Sequence, residues 1–190
     1  MKQLLFVVLA IFFFTGCTEV KDQTKLKLPT YMEEFNDFSS KMAMYSNFKK
    51  ETPKHYRLTA TIELQRESDA DRMLYEIAIR KPTIEMKNVK MTFGLHPKML
   101  QHLLTSNVFN TTDENTPLHL MPDKEPFGLT LGRGHIIDKS LIDHEMLSIY
   151  RDMFIKITYE SNGKQVIDYL QTEGEVTKEL EDYLKQNAVK

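Results

Sequence analysis

A mainly β domain, an antiparallel sandwich with flanking N-terminal and C-terminal helices, is the fold that this 190-residue chain predicts. Three observations carry it. Apolar and polar residues alternate over several short runs, the period of a half-buried strand. Asn162-Gly163 lies between two such runs, and Asn-Gly favours a type I′ hairpin because both central residues need positive φ. Sustained helical spacing is confined to two stretches, one before and one after the strands.

The first helix opens at Thr30. Thr30 with Glu33 fits a capping box, each side chain satisfying a backbone N–H of the other. Tyr31, Phe35, Phe38, Met42 and Tyr45 then recur at three and four, one helix face, widened by Met32, Met44 and Phe48. Glu33, Glu34, Asp37 and Lys41 fall on the other side. A membrane-surface helix usually carries a Lys/Arg-rich polar face. This acidic start predicts packing on the helix's own domain instead.

After Thr52-Pro53 the period becomes two. Tyr56, Leu58, Ala60, Ile62 and Leu64 alternate with Arg57, Thr59, Thr61, Glu63 and Gln65. Glu67 to Asp71 turns the chain into a second strand through Met73, Tyr75, Ile77 and Ile79, ended by Lys81-Pro82. Ile84 and Met86 are followed by Val89, Met91 and Phe93 one position out of phase, which predicts a β-bulge near Lys87-Asn88. From Leu95 to Phe127 the pattern weakens. His96-Pro97 begins a helical turn toward Leu104, and Asn110 to Pro126 reads as loop with an edge strand at most. A strand resumes at Phe127, Leu129 and Leu131 and ends at Gly132-Arg133-Gly134. Leu141 to Tyr150 forms a short helix or turn. Met153 to Tyr159 and Val166 to Gln171 are the arms of the Asn162-Gly163 hairpin. Thr172 to Glu175 caps a last helix with Val176, Leu180, Tyr183 and Leu184 on one face. Short strands joined by hairpins point to an antiparallel sandwich. It is a single domain over 30–190 with its β-rich core at about 53–171.

The N-terminus carries a different signal. Lys2 precedes an apolar run from Leu4 to Phe14, then Thr15-Gly16-Cys17, the charged, apolar and small-residue regions of a secretory signal. The run is shorter than the roughly 17–25 residues a spanning helix needs. Phe14-Thr15-Gly16-Cys17 resembles a bacterial lipobox, with Phe in place of the common Leu. The resemblance implies a signal peptide over 1–16, diacylglycerol on the Cys17 sulfur and cleavage after Gly16. It places the protein on the extracytoplasmic face of the cell membrane. The other reading is an ordinary secretory signal with a Cys there by chance. Cys17 is the only cysteine, so an internal disulfide is excluded. Thr18 to Pro29 is polar and reads as a tether, so that 17–29 links lipid to domain. Twelve extended residues reach about 40 Å. Lys21, Lys25 and Lys27 either touch anionic headgroups or lie in solvent.

Tyr75-Glu-Ile-Ala-Ile-Arg-Lys-Pro-Thr-Ile-Glu-Met-Lys-Asn-Val-Lys90 resembles a stretch of a family of small, uncharacterised lipoproteins of Bacillus-like Gram-positive bacteria. That resemblance implies an immunoglobulin-like domain and names no activity.

A net charge of −2 gives no support for nucleic acid as a partner. The histidines are His55, His96, His102, His119, His135 and His144, and none stands in HExxH or a compact zinc spacing. No GxSxG elbow occurs. Gly132-Arg133-Gly134 is too short for a phosphate loop. No cofactor motif is found. Asp138, Asp143, His144 and Glu145 form the densest polar cluster. Two function classes remain. The first is a lipid-anchored binding module with an envelope protein or ligand as partner, using the loop between Leu95 and Phe127. Phe109, Leu118, Leu120 and Met121 would be its apolar anchors, flanked by Asp113, Glu114, Asp123 and Lys124. Equally, those four side chains could cover the core. The alternative class is an extracytoplasmic hydrolase or metal-dependent enzyme built on Asp138, His144 and Glu145 or on the His96–His119 stretch.

Overall fold

The computed structural model of the protein describes residues 29–51, 53–112 and 118–188. The export signal, Cys17 and the tether up to residue 28 lie outside the described residues, as do Asp113 and Glu114 of the loop.

Strands β1 (Arg57–Arg66) and β2 (Asp71–Arg80) pair along their full length. Alternation places Leu58, Ala60, Ile62 and Leu64 opposite Ile79, Ile77, Tyr75 and Met73. The chain then crosses to a second sheet, where β3 (Met86–Leu95) pairs with β7 (Asp152–Ser161). Asn162 and Gly163, at φ 51° and 70°, turn β7 into β8 (Lys164–Glu173). The expected bulge is there: the β3/β7 register shifts between Lys87 and Lys90, and Asn88 has φ 52°. Strands β4 (Phe109–Thr111) and β5 (Leu118–Leu120) both pair with β3. Strand β6 (Gly128–Ile136) returns to β2, and β9 (Glu175–Val176) lies parallel to β1.

Among the described residues the sheets therefore run β6-β2-β1-β9 and β4-β3-β7-β8, antiparallel except at β9. Their inner faces share one core, with Ile62, Tyr75 and Ile77 from the first sheet against Met91, Phe93, Ile155 and Ile157 from the second. The protein is a mainly β sandwich. Helices α2 (His144–Ile149) and α3 (Lys178–Asn187) add Met146, Leu180, Tyr183 and Leu184 to this core. One lateral edge is tied by Asn110, whose side chain donates to the Gly132 carbonyl at 3.0 Å, and by Arg133, which donates to the Phe109 carbonyl. On the other, Lys49 pairs with β8: its N–H donates to the Tyr169 carbonyl at 2.9 Å, and its carbonyl accepts from Gln171 at 2.8 Å.

Helix α1 (Tyr31–Met42) begins with the expected capping box. It lies on the outer face of the second sheet, where Phe38 and Met42 meet Phe48, Phe109 and Phe154 in a second core. Gly94 permits the approach, since a Cβ there would stand 2.9 Å from Met42 Sδ and Phe38 Cε1. Lys90 donates to the Pro29 carbonyl at 2.7 Å and Thr92 to the Glu34 carboxylate at 2.9 Å. The helix thus runs along β3 in the same direction.

Three expectations are corrected. The spacing puts Glu34 on the solvated side of α1, yet it is 2% exposed, while Tyr31 and Met32 of the apolar stripe are exposed. The stripe is rotated because part of the sheet face beneath it is polar, with Thr92 and Lys156 reaching for carboxylates. The last helix starts at Lys178, not near Thr172, because Thr172 and Glu173 complete β8 and the next residues join β1. Strand β6 continues through Gly132, Arg133 and Gly134, which pair with Glu76, Tyr75 and Leu74.

Candidate functional site

Two stretches that are far apart in sequence meet at one end of the sandwich, where β3 stops and β7 starts. A 3-10 turn, Pro97–Gln101, follows β3, and α2 precedes β7. His96 caps the turn: its Nδ1 accepts from the Lys98 N–H at 3.3 Å and therefore carries no proton. Tyr45 stacks on this ring at 5.8 Å, its hydroxyl 3.5 Å from Nε2. The Lys98 ammonium pairs with Glu145 on α2. Asp143 caps α2 by accepting from the Met146 N–H at 2.8 Å.

His102 sits beneath this bridge, buried. Its Nδ1 contacts the Leu141 carbonyl at 3.1 Å, and a carbonyl can only accept, so Nδ1 holds the proton. Its Nε2 has no hydrogen-bond partner, and the Glu145 carboxylate stands 3.7 Å away. Hydrogen bonding to Lys98 and its charge hold the Glu145 carboxyl below its usual range. Burial lowers the His96 pKa and raises that of nearby Asp152. Asp152 also lines an open cavity of about 350 Å³ with Lys50, Gln171, Thr172 and Glu173.

The expected catalytic sets do not assemble. Asp138 accepts from Ser140, His144 is exposed, and only Glu145 of that trio approaches another titratable ring. His119 is elsewhere, 3.0 Å from Glu85. Among the described residues, no group of three or more His, Cys, Asp or Glu side chains could hold a metal ion. No serine or threonine hydroxyl is hydrogen-bonded to the imidazole of His96 or His102 among the described residues.

The proposed loop anchors divide. Phe109 is buried under α1 with ring centroids 5.3 Å from Phe35 and 5.8 Å from Phe38, and Leu120 is buried in the main core opposite Met86. Both are core side chains because β4 and β5 pair with β3 rather than looping away. Leu118 and Met121 are half-buried. The exposed apolar groups of this stretch lie at its ends. Leu100 and Leu104 are 44% and 56% exposed, while their neighbours Met99 and Leu103 are buried. Sequence reasoning passed over them, although two apolar doublets four residues apart on a turn already imply one buried and one presented row.

These features define a β-sandwich whose connecting turns at one end present apolar and charged side chains on a rigid frame. Among the described residues, no helix is long and apolar enough to cross a membrane. No protein-family model matches the chain, and no curated protein matches its sequence.

Proposed function

We propose that this chain is a lipid-anchored interaction module, held through Cys17 on the extracytoplasmic face of the cell membrane, that binds an envelope protein or ligand. The carrying observation is the turn after β3. Met99 and Leu103 root it in the core, and Leu100 and Leu104 project from it. Loops on a rigid sandwich are where binding residues concentrate, and a tether raises the effective concentration of envelope partners. The lipobox-like Phe14-Thr15-Gly16-Cys17 and the single cysteine support the anchor. The strand order supports an immunoglobulin-like topology. Strands β1, β2 and β6 face β8, β7, β3 and β4, which follows the A-B-E and G-F-C-C′ arrangement.

The test has two arms. Cys17→Ser abolishes metabolic labelling by a palmitate analogue; label retained on that variant overturns the anchor. Leu100→Ser with Leu104→Ser leaves the melting temperature unchanged and removes the partner recovered from membranes by the parent protein. If every partner is kept, the turn is not the binding surface.

A second reading, an extracytoplasmic hydrolase or metal-dependent enzyme, is favoured by the unpartnered, buried Nε2 of His102 beside Glu145. Zinc titration of the parent protein against His102→Gln separates the readings. Heat released only by the parent supports metal chemistry, and equal traces reject it.

A further inference from the structure

We infer that the opposite end of the sandwich, marked by Arg57, Arg80, Lys81 and Phe127, rests on an anionic bilayer, with the Leu100–Leu104 turn facing away from it. The inference depends on the lipid-anchor reading and adds an orientation and a lipid class to it.

Arg57 stands directly opposite Arg80 on the exposed face of the first sheet. Like charges in that position repel. The third residue of the row is Gly128, where a Cβ would lie 2.1 Å from the Ile79 carbonyl oxygen and 3.0 Å from the Arg80 Nη1, so the glycine is required by the backbone and adds no side chain beside the guanidinium. The chain has six arginines. Arg66 pairs with Glu179, Arg72 with Glu67 and Asp69, and Arg151 with Glu173. Arg133 donates to Asn107 and the Phe109 carbonyl. Arg57 and Arg80 alone form no ion pair or hydrogen bond through their side chains with any described residue. The three arginines with carboxylate partners stand at or near the end that carries the turn, whereas Arg57 and Arg80 stand at the other.

More cations gather around them. Lys81 is exposed at the end of β2 with φ 50°. Exposed His55 and Lys54 are brought alongside by the bond from the Thr83 N–H to the His55 carbonyl, 2.8 Å. Lys124 is exposed on the turn before β6, with Asp123 and Glu125 beside it, and Glu85 on the β2–β3 connection is paired with Lys87 and His119. Phe127 adjoins Gly128 and is 58% exposed. An arginine fork fits a phosphate, and an exposed Phe suits the headgroup boundary of a bilayer. Each cation near an anionic surface raises local affinity roughly five-fold.

The course of the chain agrees. Helix α1 runs from Lys90 toward Gly94, so Pro29 lies nearer the β2–β3 connection, where Arg80 and Lys81 lie, than the end of the helix does. The stretch from Thr18 to Pro29 reaches at most about 40 Å, which keeps this end close to the anchor.

The chain contains no tryptophan, so Phe127→Trp installs a single reporter in the full lipidated protein. That protein is reconstituted in vesicles of phosphatidylcholine with phosphatidylglycerol, the phosphatidylcholine carrying brominated acyl chains. Emission of the Phe127→Trp protein falls severalfold, whereas the Tyr45→Trp protein, with its reporter at the other end, keeps its emission. Replacing phosphatidylglycerol by phosphatidylcholine, or adding Arg57→Glu and Arg80→Glu, restores the emission of Phe127→Trp. Flotation with the vesicles while Phe127→Trp stays bright, or equal quenching of both reporters, overturns the orientation. Quenching of Phe127→Trp that ignores phosphatidylglycerol overturns the anionic selectivity. Failure of the anchor reading looks different: the chain stays off the vesicles in flotation, and the basis of the orientation goes with it.

Discussion

The Lys156 ammonium meets the Glu34 carboxylate at 3.1 Å across the junction of α1 and β7, with 9% and 2% of the two side chains exposed. Asp37 joins at 2.7 Å from the solvent side. Burial alone would lower the Lys156 pKa. The hydrogen bond to Asp37 and the charge of Glu34 outweigh it and hold the pKa above the usual lysine value. Removing one partner of a buried pair strands the other charge, at about 3–5 kcal/mol. Lys156→Met therefore lowers the unfolding free energy from urea titration by that order, and adding Glu34→Leu recovers most of the loss. A single variant as stable as the parent would show that water reaches Glu34.

His135 supplies a pH dependence. Its ring is buried against Tyr75, and neither nitrogen has a hydrogen-bond partner. Burial, and then the charge of Arg133, push its pKa from 6.5 down to about 4. Between those values the unfolded chain binds a proton that the folded chain refuses. Stability from this group is complete above pH 6.5 and drains away as pH falls toward 4, by about 3 kcal/mol. His135→Phe removes this part of the slope in denaturation curves measured from pH 7 to 4. An unchanged slope would assign it to other groups.

Ile155 and Ile157 lie fully buried on the inner face of β7, opposite Leu170 and Asp168 of β8. Either truncation to Ala costs about 2–5 kcal/mol, the loss of transferred methyl groups plus the cavity left. Calorimetric melting reads it. Losses below half a unit at both sites would mean the core closes over the gap.

Gly174 lies where the chain leaves β8 for β9. A Cβ there would stand 2.6 Å from Ile62 Cγ1, and Ile62 is fully buried with nowhere to move. Gly174→Ala costs about 1–3 kcal/mol through overpacking. Gly132→Ala, whose nearest neighbour would be 3.4 Å away, serves as the mild control in the same melts. Equal effects would remove Ile62 as the cause.

The strands were legible where one face is apolar and the other wet. β1, β2 and β7 alternate in sequence, β8 follows from the Asn162-Gly163 turn, and the bulge at Asn88 announced itself as a slipped phase. Strands β4, β5 and β9 are three, three and two residues long. No period can be read over so few positions, so pairing with β3 or β1 decides them. The tilt of α1 was hidden because polar residues 58 and 122 positions away bind Glu34. The meeting of His102 with Glu145 was hidden for the same reason, the two standing 43 positions apart in sequence. Both contacts are set by topology, which local spacing does not encode.

The pairing of Lys49 with β8 bears on how copies of the protein coexist when crowded together. An open strand edge is a template on which a second molecule can add its own strand and start a fibre. Lys49 occupies the backbone groups of Tyr169 and Gln171 on that edge, and its charged side chain deters a stacked neighbour. Across the sandwich, Asn110 takes up the Gly132 carbonyl of β6. Molecules at high local density thereby keep their sheets to themselves.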